Sequence, residues 1–219
     1  MTGHQVEFSY RAPYYQLGEL TNQTRQVWFV LHGYGQLARF FLKKFSALEN
    51  PHRCVIAPEG LSRFYLEDVR TRAASGNTRV GATWMTRENR LLDIGNYIQY
   101  LNALYHRVVS SLKEPTHITL LGFSQGAATA SRWALSERIH YDQLILWAGI
   151  FPPDMNFALG QRILSTKEVV VAYGSDDPFL TPERMKEMET LTAQLGIVPR
   201  ILRYAGAHDI HEPTLLSLA

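Results

Sequence analysis

Leu120-Leu121-Gly122-Phe123-Ser124-Gln125-Gly126-Ala127-Ala128 decides how this chain is read. It is preceded by the strand formers His117-Ile118-Thr119 and followed by small, helix-tolerant residues as far as Ser131. Gly-x-Ser-x-Gly at the junction is the pattern of a strand turning sharply into a helix with a serine at the bend. Such a bend strains the serine backbone and brings neighbouring chain close, so glycine is needed where a Cβ would collide, at Gly122 and Gly126. The Ser124 hydroxyl would then stand clear of the backbone at the positive end of a helix. A buried turn with a satisfied serine is the plainer alternative, and the rest of the chain has to decide between them.

Working outward, the stretch 26–31 is a continuous apolar run, the sign of a strand covered on both faces. His32-Gly33-Tyr34-Gly35-Gln36 follows as a glycine-rich loop, and then a helix with Leu37, Phe40, Phe41, Phe45 and Leu48 on one side. Residues 53–57 read as a short buried strand ending at Pro58. Downstream, Thr86 reads as an N-cap. Leu91, Ile94, Ile98, Leu101, Tyr105, Val108 and Leu112 then recur at steps of three and four, as one face of a long helix does. Residues 143–148, 168–173 and 200–204 read as further strands, and Thr181-Pro182-Glu183 as a helix start that Gly196 closes. A short helix ends the chain.

Three stretches read differently. Val6 to Tyr10 alternates apolar and polar, so it is expected to pair with 14–17 as an edge hairpin. Residues 59–82 and 149–166 carry no clear period and read as long loops, which in a compact domain are more often functional than idle. Strands alternating with helices imply an α/β fold with a mostly parallel central sheet and helices on both faces. In such sheets, sites form at the carboxyl ends of the strands.

The chain has 219 residues, enough for one well-buried α/β domain, and the expectation is a single domain over 1–219. The formal net charge of +2 is small and the basic residues are scattered. Nothing reads as a nucleic-acid stripe or a polybasic membrane patch. Cys54 is the one cysteine, so no internal disulfide can form. No basic region followed by an apolar run opens the chain, and no apolar run approaches bilayer length. The expectation is a soluble cytoplasmic protein without stable membrane insertion; a homo-oligomer is compatible with this reading.

A serine hydroxyl is a poor nucleophile at neutral pH and needs a base, and the base needs an orienting acid. In the α/β-hydrolase arrangement these come in the order Ser, Asp, His, each after a strand. Here the order is Ser124, Asp177 in Gly174-Ser175-Asp176-Asp177-Pro178, and His208 after the last strand. Stabilising the oxyanion takes two backbone N–H groups aimed where negative charge develops. Gln125 is placed to supply one, and Tyr34 in the early glycine-rich loop the other. His32 is expected to fix that loop by hydrogen bonds rather than to act as the base.

Leu31-His32-Gly33-Tyr34-Gly35, Gly122-Phe123-Ser124-Gln125-Gly126, Gly174-Ser175-Asp176-Asp177-Pro178 and His208 together resemble the phospholipase/carboxylesterase group of α/β-hydrolases, which includes acyl-protein thioesterases. The resemblance covers nearly the whole chain. It implies an ester or thioester hydrolase without metal or cofactor and without a large cap domain. It also aligns the family acid with Asp177. Two further points favour Asp177 over Asp176: Pro178 holds the residue before it extended, and an aspartate within the turn usually bonds nearby backbone.

The expectation is a serine hydrolase acting on a small-molecule ester or thioester through Ser124, His208 and Asp177. A lysophospholipase or peptidase on the same triad is one alternative, and a ligand-binding module that keeps the fold without turnover is another. His208 and His211 lie three apart but have no further ligand at metal-site spacing. Trp84 and Phe179 are candidates for a substrate pocket. The arginines between Arg63 and Arg90 read as a solvated face, with contact to an acidic substrate as the lesser reading.

Overall fold

The computed structural model describes residues Met1 to Ala219. Its frame is a seven-stranded sheet in the order β1-β3-β2-β6-β7-β8-β9. The strands are β1 Tyr14–Leu17, β2 Gln26–Leu31, β3 Arg53–Pro58, β6 His117–Phe123, β7 Gln143–Trp147, β8 Glu168–Gly174 and β9 Arg200–Tyr204. All neighbours run parallel except β1, which lies antiparallel to β3 at one edge with Tyr14 opposite Pro58. Between β3 and β6 stand β4 Ser62–Tyr65 and β5 Val80–Thr83, a separate antiparallel pair.

The apolar runs read from the sequence become strands covered on both sides. In β2, Val27, Phe29 and Leu31 face one core, while Trp28 and Val30 face the other. This is the period-two alternation of a strand with no solvent face. The first core is closed by α3 Arg90–Val109, α4 Gln125–Ala134, α5 Phe157–Leu164 and α6 Pro182–Gln194. The second is closed by α1 Ala38–Phe41, the 3-10 turn Leu42–Leu48 and α7 Glu212–Leu216. Phe29 touches both Tyr105 of α3 and Trp133 of α4, at ring separations of 6.0 and 5.3 Å. Truncating such a side chain to alanine costs about 3–5 kcal/mol.

Several local expectations are corrected. Val6 to Tyr10 forms no strand and is exposed, so there is no hairpin with Tyr14–Leu17. β1 is the edge strand with β3 as its single neighbour, so an open edge was at hand and the alternation of 6–10 was not sufficient to add a strand to it. The segment 59–82 is not one loop. It holds β4, the helix α2 Val69–Ser75 and β5. Asp68 caps α2 by accepting from the N–H groups of Arg70 and Thr71, and Gly76 ends it at φ 66°. The segment 149–166 likewise contains α5, capped by Asn156.

Thr86 is not a cap. α3 starts at Arg90 after a left-handed Asn89, because Thr86 donates its N–H across to Asp93 and stays in the preceding loop. Finally, the helix expected after residue 36 is one α turn followed by 3-10 turns. Phe41, Phe45 and Leu48 are buried as expected. Phe40 is 53% exposed, beneath the cationic groups of Arg39 and Lys43.

Candidate active site

Ser124 links β6 to α4 with φ 54° and ψ −116°, a region that costs a non-glycine residue about 1–3 kcal/mol. The surroundings hold it there. Its N–H donates to the Trp147 carbonyl on β7 at 2.8 Å, and its carbonyl accepts from Ala127 at 3.0 Å. The two flanking glycines are sterically required. A Cβ on Gly122 would stand 2.1 Å from the Gly126 carbonyl oxygen, and one on Gly126 would stand 2.2 Å from the Leu31 oxygen. The crossing of β6, α4 and β2 therefore closes only with glycine at both positions.

Two strands further on, Asp177 and His208 meet. His208 Nδ1 lies 2.7 Å from Asp177 Oδ2. The Asp177 side chain is fully buried, and its other oxygen accepts the Phe179 N–H at 2.9 Å. A carboxylate can only accept, so Nδ1 carries the hydrogen and Nε2 presents its lone pair. That nitrogen makes no hydrogen bond within the protein, and neither does the Ser124 hydroxyl. The imidazole sits between Phe123, the neighbour of Ser124, at 4.9 Å and the edge of Phe179 at 4.7 Å. Asp176, by contrast, is exposed.

The loop carrying His208 is held from beneath. Trp147 Nε1 donates to the Tyr204 hydroxyl at 2.8 Å and to the Asp209 carbonyl at 3.0 Å, and the Tyr204 hydroxyl donates to the same carbonyl. Burial pushes the Tyr204 hydroxyl pKa up, which keeps it a donor. Sequence reading missed this bracket, because its members lie on different strands and follow no motif.

Tyr34 stands on the opposite side of the serine. Its N–H makes no hydrogen bond in the protein. Gln125 is the first residue of α4, where helix geometry leaves the N–H without an intrahelical acceptor. Gly33 closes the gap between them; a Cβ there would lie 3.2 Å from Ser124 Cβ. The loop is stiffened by His32, which is wholly buried. His32 bonds the Gly33 carbonyl through Nδ1 at 2.7 Å, accepts the Gly60 N–H at Nε2 at 2.9 Å, and stacks on Trp84. Burial lowers its pKa to about 4, so at neutral pH it is an uncharged clamp.

The Gln125 side chain has a structural task that the motif did not reveal. Its oxygen accepts from Thr83 Oγ1 and the Trp84 N–H, and its amide nitrogen donates to the Met85 carbonyl. One residue thus ties the elbow to the end of β5.

The two pocket candidates part company. Trp84 is 2% exposed and donates Nε1 to the His32 carbonyl at 2.8 Å; it is a core residue behind the site rather than a pocket wall. Phe179 is 65% exposed and stands beside His208. His211 stacks on Tyr204 and bonds Thr214, and no group of three or more His, Cys, Asp or Glu is arranged so that it could hold a metal ion.

Residues 22–214 match the family model described as Serine hydrolase (FSH1). The chain belongs to this family of serine hydrolases. No curated protein matches the chain in sequence. Among solved structures it is similar to Zea mays acyl-protein thioesterase 2, with 14% identity, a TM-score of 0.66, and coverage of 95% of this chain and 96% of that one. The esterase PE8 has 18% identity and a TM-score of 0.66 over 95% and 96% of the two chains. The Bacillus cereus carboxylesterase has 15% identity and a TM-score of 0.65 over 94% and 91%. At such identities the likeness is one of fold. No helix is long and apolar enough to cross a membrane.

Proposed function

We propose that this serine hydrolase cleaves carboxylic esters or thioesters of small molecules through an acyl-enzyme, as a single catalytic domain over 1–219. Ser124 attacks the carbonyl carbon while His208 Nε2 takes the hydroxyl proton. The Tyr34 and Gln125 N–H groups receive the oxyanion. His208 then returns the proton to the leaving alcohol or thiol, and in the second half-reaction it activates water against the acyl-Ser124 ester. Asp177 keeps the imidazole in the Nδ1–H tautomer and stabilises its charged form.

The observation that carries this reading is the 2.7 Å Asp177–His208 bond, which leaves Nε2 without a partner in a ring packed on Phe123, the neighbour of Ser124. Ser124 and His208 are not hydrogen-bonded in this conformation. Catalytic contacts commonly tighten only when substrate binds.

The test is labelling by a fluorophosphonate probe together with turnover of a graded panel of esters and thioesters. Wild type should label and hydrolyse; Ser124→Ala should do neither while keeping its fold. Wild-type-like turnover by Ser124→Ala would sink the assignment. A protein that neither labels nor turns over any ester would instead be a ligand-binding module. Lysophospholipid and peptide substrates in the same panel separate those rivals.

A further inference from the structure

A groove of about 660 Å³ begins at Gly35, the residue after Tyr34, and runs between α1 and the β4–α2–β5 excursion. Its far wall includes Lys44, whose ammonium is bound to Asp209, the residue after His208, at 2.6 and 2.9 Å. The groove thus opens beside the Tyr34 loop, and one of its lining side chains, Lys44, is tied to the residue after His208. Phe40, Leu66 and Val80 line it, and Phe41, packed on Phe123 at 5.7 Å, closes the floor.

The charge on this surface is one-sided. Arg39, Lys44 and Arg79 line the groove, and no acidic residue does. Two of these cations are already matched: Lys44 by Asp209, and Arg79 by Glu67 at 2.5 Å. Arg39 has no carboxylate partner. Its guanidinium lies over the Phe40 ring at 4.6 Å, which folds it along the groove wall. A planar, permanently charged fork with open donors suits a carboxylate. The apolar rings beside it suit a hydrocarbon chain.

We propose that this groove receives an anionic end of the ester substrate: a hydrocarbon segment on Phe40, Leu66 and Val80, ending in a carboxylate held by Arg39. The inference rests on the Ser124 hydrolase reading and adds a substrate class to it. Tyr34 and Arg39 are five residues apart, so their Cα atoms lie within about 18 Å. An extended substrate therefore needs at most about that length to run from the Tyr34 backbone to Arg39.

The experiment compares kcat/KM for matched pairs that differ in one charge. In one arm the acyl chain carries it: 4-nitrophenyl half-esters of glutaric and suberic acid against the pentanoate and octanoate. In the other the leaving group carries it: the butyrate of 4-hydroxybenzoic acid against that of its methyl ester. Wild type, Arg39→Gln and Arg39→Glu are measured at low and high salt, with thermal melts to confirm folding.

In at least one arm the anionic-to-neutral ratio should fall about five-fold in Arg39→Gln and further in Arg39→Glu, and the fall should shrink at high salt. A ratio unchanged by both substitutions in both arms overturns the proposal, even if every ester is hydrolysed. Absence of turnover on every ester, charged or neutral, overturns the Ser124 reading and this inference with it.

Discussion

Two histidines flank the elbow, one on each side, and they have opposite fates. His32, after β2, has both ring nitrogens engaged and no exposure. His208, after β9, has one nitrogen on a buried carboxylate and the other unengaged. Both rings lie against aromatic side chains, so packing does not separate them. What separates them is the partner. Backbone groups on both nitrogens of His32 fix a neutral ring, and desolvation then holds its pKa near 4. A carboxylate on one nitrogen of His208 can stabilise the charge that proton uptake creates at the other. The comparison teaches that a base is recognised by the nitrogen it leaves free as much as by the residue it touches.

The sharpest way to break this contrast is to remove His208. His208→Gln should lower kcat by about 10⁴-fold or more on an activated short-chain ester, with the melting temperature little changed. If His208→Gln stays near wild type, the comparison assigns the wrong histidine. Next comes the carboxylate. Asp177→Asn should cost about 10³- to 10⁴-fold in kcat, because an amide can favour the wrong imidazole tautomer, while Asp176→Asn should remain near wild type. The reverse ranking of the two variants would move the acid back by one residue.

His32 should reveal itself in stability rather than turnover. The unfolded imidazole takes up its proton near 6.5 and the buried one only near 4. Between those values the unfolded chain holds more protons, so stability falls as pH drops through that window and is unaffected by this group above it. The loss by pH 4 amounts to about 3 kcal/mol from His32 alone. Urea unfolding at a series of pH values measures the sum, and the His32 ring resonance isolates the residue. An imidazolium shift for His32 already complete at pH 6 would contradict the clamp.

The smallest effect is expected at Gln125. Gln125→Ala removes the acceptor of Thr83 Oγ1 and Trp84 N–H and the donor to Met85. A loss of about 1–3 kcal/mol in stability should follow, with kcat reduced about ten-fold as the Trp84 segment loosens. Kinetics and unfolding on the same preparation check it; an unchanged melt would show that the bond set is not holding β5 to the elbow.

Local pattern was enough for much of this molecule. The apolar runs at 26–31 and 143–148 read as strands with both faces covered, and they form β2 and β7. Gly122 and Gly126 specify the elbow because no Cβ fits where β6, α4 and β2 cross. The proline after Asp177 marked the residue that reaches His208.

Other features depended on partners distant in sequence. Val6 to Tyr10 has a strand pattern and joins no sheet, while residues 62–65 and 80–83 have little pattern and find each other. Trp84 sits in sequence as a pocket residue would, yet folding places it in the core behind His32. The Trp147–Tyr204 bracket under Asp209, the Gln125 clamp and the groove beside Arg39 are each assembled from separate elements. Periodicity reports which face of a segment avoids water. It carries no information on which distant hydrogen-bonding group that face will meet, and that pairing was settled only when the chain closed on itself.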